Sequence, residues 1–217
     1  MRKNFGAKTY LYPMPVLMIA TYNEDGTVDV MNAAWGGISD TNQISICLEA
    51  SHRTVANIKR TGAFTVSVAD ADHVVECDYL GIVSANKEPK KVEKAGFTAK
   101  KSEFVNAPVI NELKMALECK LISRNDETGI TIGDIVNVSA DESVLTDGKI
   151  DPQKLRPITF DSVNNAYLVL GEKVGNAFRD GLKLKYSQKK DCLGSLFLCL
   201  SAVIVAIDHQ SVIERVG

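Results

Sequence analysis

The sequence has no excess of charge of one sign. Its 217 residues include 25 Lys and Arg against 27 Asp and Glu, which gives a formal net charge of −2. A protein whose main partner is nucleic acid needs a basic surface to neutralise phosphates, so we expect no nucleic-acid partner. Hydrophobic residues make up 45% and charged residues 24% of the chain. This balance is typical of a globular protein with a core and excludes wholesale disorder.

Cysteine and histidine are too few and too scattered for a metal site or a disulfide framework. The 5 cysteines are odd in number, none of them forms a Cys-x-x-Cys pair, and the 3 histidines lie far apart in the sequence. Zinc sites and disulfide-rich domains show closer and more regular spacing. We therefore expect no metal, reduced thiols and a cytoplasmic location.

No apolar run is long enough for a membrane span. The run at 16–20 is short and follows two prolines, so it does not fit a signal-peptide core. A second apolar run, 193–207, has fifteen residues without a charge, fewer than the ~20 that a bilayer requires. A membrane partner is not expected. The polar stretch before this run predicts a domain at 1–186 and an apolar C-terminal extension at 187–217.

The common glycine-rich signatures of nucleotide binding and hydrolysis are missing. The chain has no Gly-x-Gly-x-x-Gly after a strand, no Gly-x4-Gly-Lys-Ser/Thr and no Gly-x-Ser-x-Gly. These absences exclude a Rossmann cradle for a nicotinamide cofactor, a P-loop for ATP and a nucleophile elbow. We assign no side chain to acid, base or nucleophilic catalysis.

Short segments of alternating polarity dominate the chain and predict strands. In 43–48, for example, Ile44, Ile46 and Leu48 fall on one face. Helical segments are few and show no βαβ rhythm, which favours a mainly β, antiparallel barrel with helical decoration. Gly133 suggests a β-bulge. Strands are predicted at 16–22, 27–31, 43–48, 63–68, 115–123, 130–140 and 166–170, and helices at 55–60, 72–80 and 89–95.

The first segment that could bind an anion lies where a strand ends and a helix begins. Its unpaired N–H groups and the positive end of the helix dipole attract negative charge. Arg53 adds a planar guanidinium suited to phosphate oxygens, and the hydroxyls of Ser51 and Thr54 add donors. The alternative is an ordinary N-cap formed by Ser51 or Thr54, with a solvated arginine.

A second cationic segment, 84–91, offers three lysines beside another predicted helix start. The three lysines are Lys87, Lys90 and Lys91. The alternative is a solvated helix face, since lysines around a proline are usually exposed. Two such segments in a small β-rich domain of balanced charge favour a phosphorylated small molecule.

The third segment, 31–39, could lie against a planar ring. Its small residues let the main chain approach a ligand closely, and Trp35, the only tryptophan, could stack on an aromatic ring. The alternative is that Trp35 anchors the core and that Gly36 and Gly37 form a turn.

Taken together, these segments resemble the flavin reductase-like, FMN-binding split-barrel proteins, and most closely their flavoredoxin branch. The resemblance runs from about residue 11 to residue 185, with its motifs in the family's order. The motifs are Asn32–Gly36, His52–Thr54 with Asn57–Lys59, Thr61–Val66, and Asp78–Ser84 with Asn86 and Lys87.

The resemblance implies a six-stranded antiparallel Greek-key split barrel and a homodimer that binds FMN non-covalently near the subunit interface. By similarity, the isoalloxazine ring would lie along Asn32, Ala33, Ala34 and Trp35. The phosphate would be held by Ser51, Arg53 and Thr54, with Asn86, Lys87 and Lys90 assisting. Leu48 and Glu49 would present main-chain groups to the ring or the ribityl chain.

The family further implies an oxidoreductase that passes electrons from NAD(P)H through FMN to free flavin, a protein partner or a small oxidant. Three alternatives stay open: a flavoredoxin-type carrier without direct NAD(P)H activity, a non-enzymatic FMN-binding module, and a barrel that has lost its flavin. Family members usually end near the position of Lys185, so the extension at 187–217 is a departure. We expect it to pack against the barrel or a partner subunit.

Overall fold

The chain folds mainly into antiparallel strands. A computed structural model describes residues 1–185. Thirteen strands, four α-helices and one 3-10 helix at Glu142–Val144 lie wholly within these residues. The α-helices are α1 (Arg53–Thr61), α2 (Val74–Ile82), α3 (Lys91–Lys94) and α4 (Pro152–Leu155). The strands are β1 (Leu17–Tyr22), β2 (Val28–Ala33), β3 (Gly36–Asp40), β4 (Gln43–Cys47), β5 (Ala63–Val68), β6 (Ala99–Lys101), β7 (Pro108–Ile110), β8 (Met115–Arg124), β9 (Ile130–Ala140), β10 (Leu145–Thr146), β11 (Lys149–Ile150), β12 (Ile158–Asp161) and β13 (Ala166–Val169).

Seven strands form the main sheet, in the order β2-β1-β5-β8-β9-β4-β3. The two edge strands, β2 and β3, are consecutive in the chain, and only Ala34 and Trp35 lie between them. Three peptide units span at most about 11 Å, so the two edges must come close together. The sheet therefore curls into a barrel that is split where β2 and β3 meet without pairing.

Strand β1 is buried on both faces because a separate core packs on each. Leu17 and Ile19 belong to a barrel cluster shared with β4, β5 and β8. Met18 and Ala20 belong to a helix cluster that includes residues of α2 and α3. Successive side chains of a strand point to opposite faces, so one unbroken apolar run supplies both cores.

Helices α1 and α2 pack on these two cores, and this packing brings one end of each helix to the split in the barrel. On α1, Val55 and Ile58 are buried in the barrel cluster, and on α2, Cys77 and Leu80 are buried in the helix cluster. The start of α1 and the end of α2 come together beside β2, which places two helix ends next to the connection between the edge strands.

The antiparallel, mainly β fold and most predicted elements are confirmed. The main sheet has one strand more than the six that the resemblance implies, because β3 pairs with β4 where a glycine turn was considered. Gly36 and Gly37 carry no side chain that would favour a strand, and only pairing across the sheet makes them extended. The predicted helix cap at Ser51 or Thr54 is wrong: His52 is the N-cap residue.

Gly133 has a different role from the predicted bulge. The unpaired residue beside it is Ile122, on the opposite strand β8. A Cβ atom at Gly133 would lie 2.5 Å from Cζ of Phe64, whose ring is fully buried in the barrel cluster. Gly133 therefore provides the space that the Phe64 ring occupies.

The chain divides into two compact units, Met1–Leu170 and Gly171–Gly217. In the described part of the second unit, the Asp180 carboxylate accepts a hydrogen bond from the Asn176 N–H, at 2.8 Å. Among residues 1–185, no helix has the length and hydrophobicity needed to cross a bilayer. The predicted extension at 187–217 lies outside the described residues, so its packing and the predicted domain boundary stay predictions.

Gly133→Ala tests the packing of the barrel cluster. We expect a loss of about 1–3 kcal/mol in the free energy of unfolding, because the new methyl group overlaps a buried ring in a paired strand. Urea unfolding of both proteins measures this loss. Gly37→Ala is the matched control, because no atom of the described residues lies within 4 Å of its added Cβ atom. Equal effects of the two substitutions would show that the Phe64 ring is not confined there.

Candidate functional site

Two depressions flank the connection between the edge strands. A cleft of about 180 Å³ lies between β2, the start of α1 and the segment after α2, and we call it the Arg53 cleft. A groove of about 640 Å³ lies along β3 and the N-terminal segment, and we call it the Trp35 groove. The cleft is lined by residues that include Asn32, Arg53, Thr54, Gly81, Ala85 and Lys91. The groove is lined by residues that include Tyr10, Leu11, Trp35, Gly36, Ile38 and Cys47.

Helix α1 begins at the cleft without a side-chain cap. Its N-cap residue, His52, makes no capping hydrogen bond. The backbone N–H groups of Arg53 and Thr54 have no acceptor among residues 1–185. The first turn of α1 contains no acidic side chain. Free N–H groups at the positive end of a helix dipole therefore remain available to an anion.

A hydrogen bond joins the two predicted anion-binding segments. Nε of Arg53 donates to Oδ1 of Asn86, at 3.1 Å. Asn86 follows α2 and is held in a turn in which the Lys87 N–H donates to the Ser84 carbonyl, at 3.0 Å. Two segments more than thirty residues apart in sequence thus meet at the cleft. With Nε engaged by Asn86, the terminal nitrogens of Arg53 remain for a ligand.

Thr54 does not offer the hydroxyl proton that the sequence suggested. Its hydroxyl donates to Oδ2 of Asp29, at 2.5 Å, and both side chains are almost fully buried. A hydroxyl has one proton, so this bond leaves none for a phosphate. The contribution of Thr54 to an anion site is therefore its backbone N–H. Oδ1 of Asp29 and Nδ1 of His52 are buried beside the cleft and have no hydrogen-bond partner in the part of the chain that the structure describes.

Lys91, rather than Lys90, forms part of the wall of the cleft. Its ammonium group is buried and donates to the carbonyl oxygens of Leu80, at 3.0 Å, and Val83, at 2.9 Å. Burial lowers the pKa of Lys91, and the nearby Asp29 carboxylate acts in the opposite direction. This lysine fixes the end of α2 by binding carbonyls that the helix leaves unpaired.

Trp35 lies at the surface instead of anchoring the core. Its side chain is 57% exposed, and its carbonyl accepts a hydrogen bond from the Cys47 N–H, at 2.8 Å. The main chain is fixed while the indole faces the groove. Ile38 is 68% exposed on the same groove. The groove thus presents a flat aromatic surface among small and apolar residues, as a planar ring requires.

The N-terminal segment that forms the other wall of the groove is attached to the β12–β13 hairpin. The Tyr12 hydroxyl donates to the carboxylate of Asp161, which also accepts from the Asn164 side chain, at 2.7 Å. These bonds, with Tyr12 first, lower the pKa of Asp161 to about 2. The Ser162 hydroxyl donates to the Thr9 carbonyl, at 3.2 Å.

The remaining predicted site residues are divided among three environments. Ala33 is buried in the barrel cluster. The Leu48 N–H donates to the Gly129 carbonyl, at 2.9 Å, so this N–H is not free for a ligand. Ala34 lines the Trp35 groove. Four side chains are exposed around the cleft segments, without a contact that defines their role: Glu49, Ser51, Lys87 and Lys90.

Three residues around Asn32 were not selected as site residues from the sequence. Gly81 lies so near that a Cβ atom on it would be 2.9 Å from Cβ of Asn32. The Cys77 carbonyl accepts from the Asn32 amide, at 3.3 Å, and Tyr167 reaches it from β13. Gly81 belongs to the family motif Asp78–Ser84, so the sequence did indicate a site near this residue. Tyr167 lies far along the chain and outside the motifs of the resemblance, so no sequence pattern pointed to it.

The described thiols do not form a reactive centre. Burial raises the pKa of Cys77 to about 12 and that of Cys119 to about 12. Cys119 is buried in the barrel cluster. Cys47 is exposed at the groove, with its Sγ 3.5 Å from the Thr128 carbonyl oxygen.

Comparison with known proteins matches this fold to one family. The model of the flavin reductase like domain matches residues 9–157. Flavoredoxin of Desulfovibrio vulgaris (Miyazaki F) is 38% identical, with a TM-score of 0.80 over 83% of this chain and 100% of that one. Flavoredoxin from Methanosarcina acetivorans is 25% identical, with a TM-score of 0.76 over 85% and 99%.

A more distant structure shares the fold. It is the FMN-binding domain of a flavin reductases-like enzyme from Shewanella baltica OS155, which is 19% identical, with a TM-score of 0.67 over 75% of this chain and 88% of that one. The family model covers more than half of the 217 residues. The chain therefore belongs to the flavin reductase like domain family.

Proposed function

We propose that this protein binds FMN non-covalently and passes electrons from NAD(P)H through it to free flavin, a protein partner or a small oxidant. The observation that carries the proposal is the hydrogen bond between Arg53 and Asn86. It brings two cationic segments to one cleft, where the uncapped start of α1 also lies. Similarity to FMN-binding and flavoredoxin structures supports the choice of ligand.

The donors at the cleft fit a phosphate group. The N–H groups of Arg53 and Thr54 and the Arg53 guanidinium would hold its oxygens, with the Asn86 amide beside them. Charge-assisted hydrogen bonds of this kind are stronger than neutral ones. Lys87 and Lys90 are exposed on the neighbouring turn and would add positive potential.

The surface around Trp35 fits a planar ring. Trp35, Ala34 and Gly36 would lie along the ring, and no charged side chain is needed on that face. Bound FMN supplies the redox chemistry itself, so the protein need not provide an acid, base or nucleophile. The protein's part is to bind the anionic end, orient the ring and leave one face open to a partner.

A flavoredoxin-type electron carrier is the second candidate. The observation that favours it is the 38% identity to a flavoredoxin over the whole of that chain. Such a carrier would be reduced by another protein and would show little activity with NAD(P)H. A non-enzymatic FMN-binding module would share the same cleft. We propose a reducing compartment such as the cytoplasm for either function, which the cysteine spacing supports.

Arg53→Ala tests the phosphate site. We expect FMN binding to weaken by about 1–3 kcal/mol, because a charge-assisted contact is lost. Affinity for riboflavin, which lacks the phosphate, is expected to stay unchanged. Fluorescence titration with both flavins measures the difference. Arg60→Ala, at the other end of α1, is the matched control, because Arg60 is exposed and donates to the Tyr22 carbonyl. Unchanged FMN affinity in a folded Arg53→Ala protein would show that the phosphate binds elsewhere.

Anaerobic mixing with NADH and with NADPH separates the reductase from the carrier. If the protein is a reductase, the flavin absorption band bleaches within seconds to minutes with at least one nicotinamide. A flavin that stays oxidised with both, but is bleached by dithionite, would favour the carrier. A colourless preparation that takes up no FMN would contradict both proposals.

We also propose a homodimer with FMN near the subunit interface. Trp35 and Ile38 are large, apolar and more than half exposed along one groove, as is typical of a surface that a partner covers. Ile38→Glu is expected to lower the dimer fraction in sedimentation. Val75→Glu is the control, because Val75 is 77% exposed on α2. A monomer at all concentrations, or equal effects of both variants, would contradict this interface.

A further inference from the structure

Asn32 is held against the end of α2 in the wall of the Arg53 cleft. It is half-buried near the end of β2, where the sheet splits. Gly81 permits the helix to pack directly on it, because any Cβ at that position would lie 2.9 Å from Cβ of Asn32. Asp78 precedes Gly81 by three residues, so both lie on the same face of the helix. Asn32 therefore meets a continuous surface of α2.

The first contact fixes which end of the Asn32 amide points to the helix. Nδ2 of Asn32 lies 3.3 Å from the Cys77 carbonyl oxygen. A carbonyl oxygen only accepts hydrogen bonds, so the amide nitrogen has to be on that side. The opposite orientation would place two acceptors against each other.

The interaction with Tyr167 agrees with this orientation. Its hydroxyl donates to Oδ1 of Asp78, at 2.7 Å. Burial and this carboxylate raise the pKa of Tyr167 to about 12, so the proton stays on the phenol. Because that proton is given to Asp78, the phenol oxygen can only accept from Asn32, whose amide interacts with it. The Cys77 carbonyl therefore requires the amide nitrogen of Asn32 on this side, and the interaction with Tyr167 agrees with it.

These contacts leave the amide oxygen of Asn32 as a hydrogen-bond acceptor at the cleft. Oδ1 of Asn32 has no hydrogen-bond partner among residues 1–185, while its residue lines the cleft. The oxidised isoalloxazine ring carries a single N–H, at N3, between two carbonyl groups. A ribityl hydroxyl can rotate to donate or to accept, so it does not need an amide locked in one orientation. The N3–H can only donate, so it needs an acceptor, and an amide locked in this orientation provides one.

We propose that Oδ1 of Asn32 accepts a hydrogen bond from the N3–H of the flavin ring, and that Tyr167 and Asp78 are positioning residues that hold the amide for this contact. The inference rests on the proposed binding of FMN. It adds a residue that selects the pyrimidine edge of the ring, whereas Arg53 selects the phosphate.

The test compares the dissociation constants of FMN and 3-methyl-FMN, which lacks the N3–H. The unsubstituted protein is expected to prefer FMN by about tenfold, as for one lost hydrogen bond with a buried partner. In Tyr167→Phe, FMN affinity is expected to fall about threefold to tenfold, and the preference over 3-methyl-FMN to fall below about threefold. Tyr22→Phe is the matched control, since no hydrogen bond of the Tyr22 hydroxyl exists in the described part of the chain, and it is expected to keep both values.

Asn32→Ala serves as a second variant in case Tyr167→Phe does not fold. It removes the acceptor itself and is expected to abolish the preference for FMN. A Tyr167→Phe protein that binds both flavins more weakly by the same factor would show a merely structural role and overturn the inference. A tenfold preference for FMN over 3-methyl-FMN that persists in Asn32→Ala would also overturn the inference. Strong binding of both flavins without any preference would overturn this inference alone, whereas no flavin binding by the unsubstituted protein would overturn the proposed function as well.

Discussion

The structure depends on the two-residue connection that joins opposite edges of one sheet. Because Ala34 and Trp35 alone separate β2 from β3, the seven-stranded sheet has to curl until its edges approach. The edges do not pair, and the connection keeps its own backbone bond from the Cys47 N–H to Trp35. A barrel closed all round would have no such opening. The split is therefore what provides room for a ligand on an otherwise fully paired sheet.

The two cores bring the helix ends to this opening. The barrel cluster fixes α1 and the helix cluster fixes α2, and both rely on β1, whose residues alternate between them. The start of one helix supplies N–H donors, while the carbonyls at the end of the other are bound by the buried Lys91. An anion near α1 would otherwise face the negative end of α2. Lys91 therefore makes the two helix ends compatible with one negatively charged ligand.

Local sequence patterns predict those parts of the fold in which periodicity decides the structure. β5 occupies the predicted residues, and Ile44 and Ile46 of β4 are buried as the alternation requires. β3 was not predicted, because Gly36 and Gly37 become extended only by pairing with β4. The contact between Arg53 and Asn86 was suggested by composition and resemblance, but the bond itself depends on tertiary structure. The same holds for Tyr167, whose hydroxyl donates to Asp78, a residue 89 positions away in the sequence.

Beside the cleft, several polar groups lack the local hydrogen bonds that such groups usually make. α1 starts at His52 without a capping bond, although Ser, Thr, Asp or Asn at that position would add about 1 kcal/mol. Next to it lie buried atoms of His52 and Asp29 that find no hydrogen-bond partner within residues 1–185. Buried polar groups without a hydrogen-bond partner lower the stability of the fold. A ligand that binds to these groups, or in the site that they line, offsets this cost. Sequences depart from local rules mostly at functional sites. Adding a cap here would stabilise the helix and at the same time occupy the donors on which phosphate binding depends.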